Sequence, residues 1–272
     1  MYSNDVSRPQ MVDEYLKFCK IHLNALETGI IDLSECDWFY PISLLPLWII
    51  KNSDKYEYIP PSNPDVAHYI STVTESAYSE NSSYMPLQFF PKSHVKPTEL
   101  DSRITRLCNG RDCNERDFGG KDAFMFLLDE MINNVYQHSE FNNAGVLAQR
   151  YAHKNFVEIS FFDDGISIPG SFEKHDIPFK TDEDAIARAI NGTSTKERHD
   201  EERGFGLNTT TKMYTKGGNG EVLLISRNGI LYKNKEEREK LYSLKGSYEL
   251  RGTLLSVRLP YPAAKINVEI YS

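Results

Sequence analysis

Apolar and polar residues follow a helical period in several stretches of the chain, most clearly over residues 121–139, KDAFMFLLDEMINNVYQHS. At about 3.6 residues per turn, Phe124, Leu128, Met131, Ile132 and Val135 gather on one side, and Asp129, Asn133 and Gln137 fall opposite. Glu130, Asn134 and His138 make a row along one edge of the apolar stripe. A carboxylate, an amide and an imidazole at the border of a core face are costly unless something satisfies or uses them. Earlier in the chain, residues 11–27 read as an amphipathic helix and residues 30–34 as a short buried strand. Pro41 suits the first turn of a helix running to about Lys51. Residues 55–60 alternate like a strand, and residues 65–73 are helical again.

Residues 80–118 are rich in Ser, Pro, Asn, Asp and Arg, and their periodicity is weak apart from a strand-like run at residues 85–90. Gly119-Gly120 marks the turn into the helix described above. Residues 145–152 and 155–164 then read as two strands of a hairpin joined through His153 and Lys154. A polar, interrupted stretch at residues 170–203 carries one helical piece, DEDAIARAI. GFGLNTTTKMY is a glycine turn entering a helix, and EVLLISRN and TLLSVRLP are the last strands, with the charged KNKEEREK between them. The pattern predicts an α+β protein: a small α/β domain over residues 1–95, a connecting segment over 96–118, and a two-layer α/β sandwich over 119–272.

Composition narrows the class. With 272 residues, 40% hydrophobic and 26% charged, the chain is ordinary for a globular protein. Its formal net charge of −8 argues against an extended nucleic-acid surface. The first residues, MYSNDVSRPQ, are polar with no apolar signal core, and the apolar run from Ile42 to Ile50 is broken by Pro46 and too short to span a bilayer. No membrane partner and a cytoplasmic location are expected. Cys19, Cys36, Cys108 and Cys113 show no C-x-x-C spacing, so scattered reduced thiols are expected, with a metal held by Cys108 and Cys113 as the alternative.

Two further stretches carry candidate chemistry. Asp163 ends an apolar strand and is followed by Asp164-Gly165. A carboxylate there, beside a glycine that permits close approach, can accept a hydrogen bond from an amine such as adenine N6, although many strands simply turn through Asp and Gly. Arg203-Gly204-Phe205-Gly206-Leu207 places glycines ahead of a helix, where backbone N–H groups can cradle phosphates. Its spacing is neither that of a Walker A loop nor that of a Rossmann fingerprint, and a plain helix-entry turn gives the same letters.

The order of the pieces is more specific than any one of them. E-x-x-x-N-x-x-x-H, D-x-G after a strand, a polar lid, G-x-G-L, then G-T before a closing strand resembles the GHKL superfamily of ATP-binding domains, shared by gyrase, heat-shock chaperones, histidine kinases and mismatch-repair ATPases. The resemblance spans residues 119–262. It implies that Asn134 coordinates Mg²⁺, that Glu130 is the general base, and that His138 stands near the phosphates. It implies that Asp163 binds the adenine amine with Gly165 giving the base room, and that Thr253, in Arg251-Gly252-Thr253, joins that contact. Gly204, Phe205, Gly206 and Leu207 would close over the phosphates, and Lys196, beside Thr193, Ser194 and Thr195 in the lid, would reach the γ-phosphate. Two departures stand out: Ser167 replaces the second glycine of the D-x-G-x-G box, and Glu202 stands where the first glycine of the later box is expected. Residues 32–47 with 56–70 resemble the STAS domains of anti-sigma-factor antagonists.

With these resemblances go ATP and Mg²⁺ as ligands, a regulatory protein partner, and room for a homodimer. Three functions stay open: an ATPase coupling lid closure to a regulatory interaction, a serine/threonine or histidine protein kinase resembling the anti-sigma-factor kinases, or a non-enzymatic module whose partner binding depends on nucleotide.

Overall fold

The computed structural model describes residues 8–53, 56–75, 83–93, 100, 102–103, 107, 121–193, 206–236, 239–262 and 266–271. The amphipathic stretch near the start forms helix α1 (Gln10–Thr28), closed by Gly29 in the left-handed conformation with its N–H on the Ala25 carbonyl. Strand β1 (Ile30–Asp32), helix α2 (Pro41–Ser53), strand β2 (Glu57–Ile59) and helix α3 (Pro64–Glu75) follow, with β1 and β2 paired in parallel. This order of helices and strands is the one the pattern predicts.

The chain then supplies β3 (Tyr84–Phe89), α4 (Lys121–Asn134), β4 (Ala144–Tyr151), β5 (Phe156–Asp163), α5 (Ser167–Lys174), α6 (Asp182–Ile190), α7 (Gly206–Lys212), β6 (Glu221–Arg227), β7 (Gly229–Lys233), β8 (Glu239–Ser243) and β9 (Leu250–Pro260). β3 to β9 form one seven-stranded antiparallel sheet in the order β3-β4-β5-β9-β6-β7-β8. Pro86 lies within β3, an edge strand, where a missing N–H costs no ladder bond on the open side, and the register shifts around it. The fold is mixed α+β, as expected. Three of its elements were not in the pattern: α5 sits in the polar stretch after Gly165, and β7 and β8 flank the charged run.

The layering also differs from the expected two-layer sandwich: the sheet is covered on both faces. On one face Val157, Ile159, Phe161, Leu224, Leu255 and Val257 pack with Phe124, Leu128, Ile186 and Met213 from α4, α6 and the segment after α7. On the other, Leu147, Phe162, Leu223, Ile225 and Leu254 share a cluster with Tyr15, Phe18, Ile42, Leu45 and Trp48. The physical reason lies in the strands, whose residues are buried at both parities of the alternation: β5 is buried from Val157 to Asp163 and β6 from Val222 to Ser226. A boundary at residue 95 therefore does not separate two cores. β3 belongs to the large sheet, and α1, α2 and α3 share their apolar cluster with it.

A polar contact fixes this second layer. The Glu158 side chain is fully buried and lies opposite Arg258 across β5 and β9. Arg258 Nε donates to Glu158 Oε2 at 2.6 Å, and its Nη1 donates to Gln10 Oε1 at 2.9 Å. The guanidinium also stands 4.8 Å from the Tyr40 ring centre and 4.7 Å from that of Phe156. The other carboxylate oxygen accepts the Ile42 N–H at 2.9 Å, one of the unpaired donors at the start of α2. Apolar α2 is thus oriented on the sheet by a charge that would be prohibitive to bury alone. We predict that Glu158→Ala, which strands Arg258, lowers unfolding free energy by about 3–5 kcal/mol in urea titration, and that Glu158→Leu combined with Arg258→Met recovers most of that loss.

Candidate functional site

The amphipathic reading of residues 121–139 places its residues correctly. Phe124, Leu128, Met131, Ile132 and Val135 are buried, and Asp129, Asn133 and Gln137 are exposed. The helix is not regular throughout: after α4 the backbone widens into a π turn over Val135–Ser139. The Glu130, Asn134 and His138 row survives this change of period, and all three side chains line one cavity of about 120 Å³.

The floor of that cavity comes from the sheet. Asp163 at the end of β5 faces Thr253 of β9, and Thr253 faces Ser226 of β6 on its other side. Met131, Val135, Ile168, Phe172, Leu207 and Leu224 supply apolar walls, and Gly206 and Thr193 lie on the rim. Of the residues expected at a site, the structure brings together Glu130, Asn134, His138, Asp163, Gly206, Leu207 and Thr253. Gly165 stands directly behind Asp163. Lys196, Gly204 and Phe205 lie outside the described residues, as do Glu202, Ser194, Thr195, Cys108 and Cys113. Among the described residues, no group of three or more His, Cys, Asp or Glu side chains is placed to cage a metal ion.

Close backbone approach explains the two glycines. A Cβ at Gly165 would stand 1.9 Å from the Ser139 carbonyl oxygen, so the turn after β5 rests against the end of the π turn with no room for a side chain. The Ile166 N–H donates to that same carbonyl at 2.7 Å. Gly252 has φ +98, and a Cβ there would stand 1.8 Å from the Asp163 carbonyl oxygen. Asp164 holds the other side of the turn: its Oδ1 accepts the N–H groups of Asn142 and Asn143 at 2.7 and 2.8 Å, and its Oδ2 accepts from Asn143 Nδ2. The chain entering β4 is thereby clamped to the end of β5.

Ser167, which departs from the expected glycine, adopts φ +72. The position keeps the left-handed backbone that glycine favours, at a cost of about 1–2 kcal/mol. Its hydroxyl accepts the Gly170 N–H at 3.1 Å, within the first turn of α5. That bond braces the first turn of α5, an element the pattern does not announce because Pro169 and Gly170 interrupt it. At the far end of α5, Glu173 makes a two-pronged ion pair with Arg227 at 2.7 and 2.6 Å.

Asp163 is only 4% exposed. Burial pushes its carboxyl up to about 7, Asp164 beside it pushes the same way, and the Gly165 N–H at 3.0 Å and the Ser139 hydroxyl oppose the rise. A carboxylate held so far from water, on a floor shared with a hydroxyl, suits a ligand that brings hydrogen-bond donors. Glu130 lies against Gly206, where a Cβ would stand 1.8 Å from Glu130 Oε2, so the glycine gives the carboxylate its place. The sequence names Asp164 and Ser167 without giving them a role at the site, and it does not point to Ser139 and Ser226, which hold the floor, or to the walls Ile168 and Phe172. No motif announces them, because each is set by packing between distant segments.

No protein-family model matches the chain, and no curated protein matches it.

The raised Asp163 carboxyl has a consequence for stability. The folded state holds this proton between about pH 4 and 7 and the unfolded chain does not, so the ligand-free protein loses stability as pH rises through that window. Asp163→Asn removes the loss. We expect its urea midpoint to match wild type at pH 4, and its stability to exceed wild type at pH 8 by roughly 1–3 kcal/mol.

Proposed function

We propose that the chain is a GHKL-type ATP-binding protein that hydrolyses ATP with Mg²⁺ in the service of a regulatory interaction. The observation that carries this reading is the convergence of Glu130, Asn134, His138, Asp163, Gly206, Leu207 and Thr253, from four separated segments, on one pocket.

The residues present fit these ligands. A buried carboxyl needs a donor, and the exocyclic amine of adenine offers one without adding charge. The apolar walls suit a flat heteroaromatic ring. Asn134 and Glu130 present oxygen atoms of the hard kind that Mg²⁺ takes, and that ion ordinarily leaves its other positions to phosphate oxygens and water. In this reading Asn134 holds the metal and His138 stands beside the phosphates. When bound, Mg²⁺ neutralises charge on the transferred phosphoryl group. Asp163 and Thr253 orient the base. Glu130, with Oε2 against Gly206, takes the proton of the attacking water. The STAS-like likeness of the early segments supports a regulatory setting.

The test is incubation with γ-labelled ATP and Mg²⁺, following free phosphate and protein-bound label together. Free phosphate is expected. Label on protein would mean a kinase instead, and neither product would leave a nucleotide-dependent binding module. Glu130→Ala should bind ATP as wild type does while turnover falls about 10²–10⁴-fold. Calorimetry should detect no ATP binding by Asp163→Asn, and unchanged affinity would defeat the adenine assignment.

A further inference from the structure

Ser226 lies fully buried beside Thr253 on the pocket face of β6 and bonds or contacts both α5 and β9. Its Oγ accepts the Ile168 N–H at 2.9 Å, at the start of α5. The same hydroxyl donates to the Gly252 carbonyl at 3.1 Å, and it stands 3.1 Å from Thr253 Oγ1. A carbonyl oxygen only accepts and an amide N–H only donates, while a serine hydroxyl has one proton to give. With that proton on Gly252, the hydrogen in the Ser226–Thr253 contact comes from Thr253. Thr253 Oγ1 then meets the cavity with lone pairs alone, beside Asp163 on the neighbouring strand.

We infer that Ser226 is a positioning residue for nucleotide choice: by drawing the Thr253 proton sideways toward β6, it makes the pocket floor an acceptor pair that selects an amine-bearing base edge over a carbonyl-bearing one. This rests on the adenine reading of the pocket. An exocyclic amine has two hydrogens for Asp163 and Thr253. A carbonyl at the same place meets two acceptors and leaves buried lone pairs opposed. Ser226 touches no ligand in this scheme. It acts by fixing a hydrogen.

The test compares ATP with inosine triphosphate, whose base carries a carbonyl where adenine carries its amine, using the full chain at pH 8.5, where Asp163 is ionised. Wild type should prefer ATP by about 100-fold or more in dissociation constant. Ser226→Ala frees the Thr253 hydroxyl to turn and donate, and the preference should shrink about tenfold. Ser226→Cys, whose thiol is a weak acceptor, should shrink it likewise and serves where the alanine variant does not fold. In a Thr253→Val background, Ser226→Ala should leave the preference unmoved. A loss of packing alone would weaken both nucleotides together and keep their ratio. An unchanged ratio in Ser226→Ala and Ser226→Cys overturns this inference while the adenine reading stands. Failure of wild type to bind either nucleotide overturns both.

Discussion

The pairing of β5 with β9 is the constraint on which both faces of this protein depend. The two strands run antiparallel without a slip from Phe156 opposite Pro260 to Asp163 opposite Thr253. Odd-numbered positions of β5 (Val157, Ile159, Phe161, Asp163) face the pocket side, and even ones (Glu158, Ser160, Phe162) face the N-terminal helices. The same register therefore sets Asp163 beside Thr253 on one face and Glu158 beside Arg258 on the other. A slip by one residue would turn Glu158 into an apolar core and Ile159 toward Arg258. Buried charge makes that alternative far more costly than a slip between apolar strands, so the polar pairs specify the register that the apolar residues stabilise. The Ser160–Ser256 hydroxyl contact at 2.8 Å adds a third such pair between the two.

Above this floor, the cavity is shaped by backbone that comes too close for side chains. Gly165 against the Ser139 carbonyl and Gly252 against the Asp163 carbonyl bring the end of the π turn and the start of β9 within contact of the β5 terminus. Those approaches leave Asp163 dry, and dryness raises its proton affinity. The site is thus paid for in stability at neutral pH, the usual relation between a prepared binding group and the fold that holds it.

How much of this the chain announces depends on whether a feature is local. The α4 face, its polar row and the strand leading to Asp163 follow from periodicity, because each needs only one segment and one layer of packing. The two-sided sheet is readable in EVLLIS, which is apolar at both parities, but not in NFVEISFF, where Glu158 and Ser160 occupy the face that the N-terminal helices cover. β7 was hidden for a conformational reason. The two-residue turn between Ser226 and Gly229 puts Arg227 at φ +51, where a glycine would have signalled a hairpin. α5 was hidden by Pro169 and Gly170, which break a helical pattern. The clamp made by Asp164 belongs to another class: its partners, Asn142 and Asn143, are fixed only once β5 returns to the end of the π turn.

The two covered faces bear on how a regulatory role would work. Glu158 and Asp163 lie five positions apart on one strand, as do Arg258 and Thr253 on its partner, roughly 17 Å along the sheet at about 3.4 Å per residue. The N-terminal helices meet the first pair, and the pocket is built on the second. β5 and β9 are therefore the elements common to both. If occupancy of the pocket is to alter what the N-terminal layer presents, these strands and α2, whose Ile42 N–H is tied to Glu158, are the elements the two faces share. The buried ion pair that orients α2 is then also the place where a shift between them would be felt first, since a contact made of directed hydrogen bonds loses energy with displacement more steeply than apolar packing does.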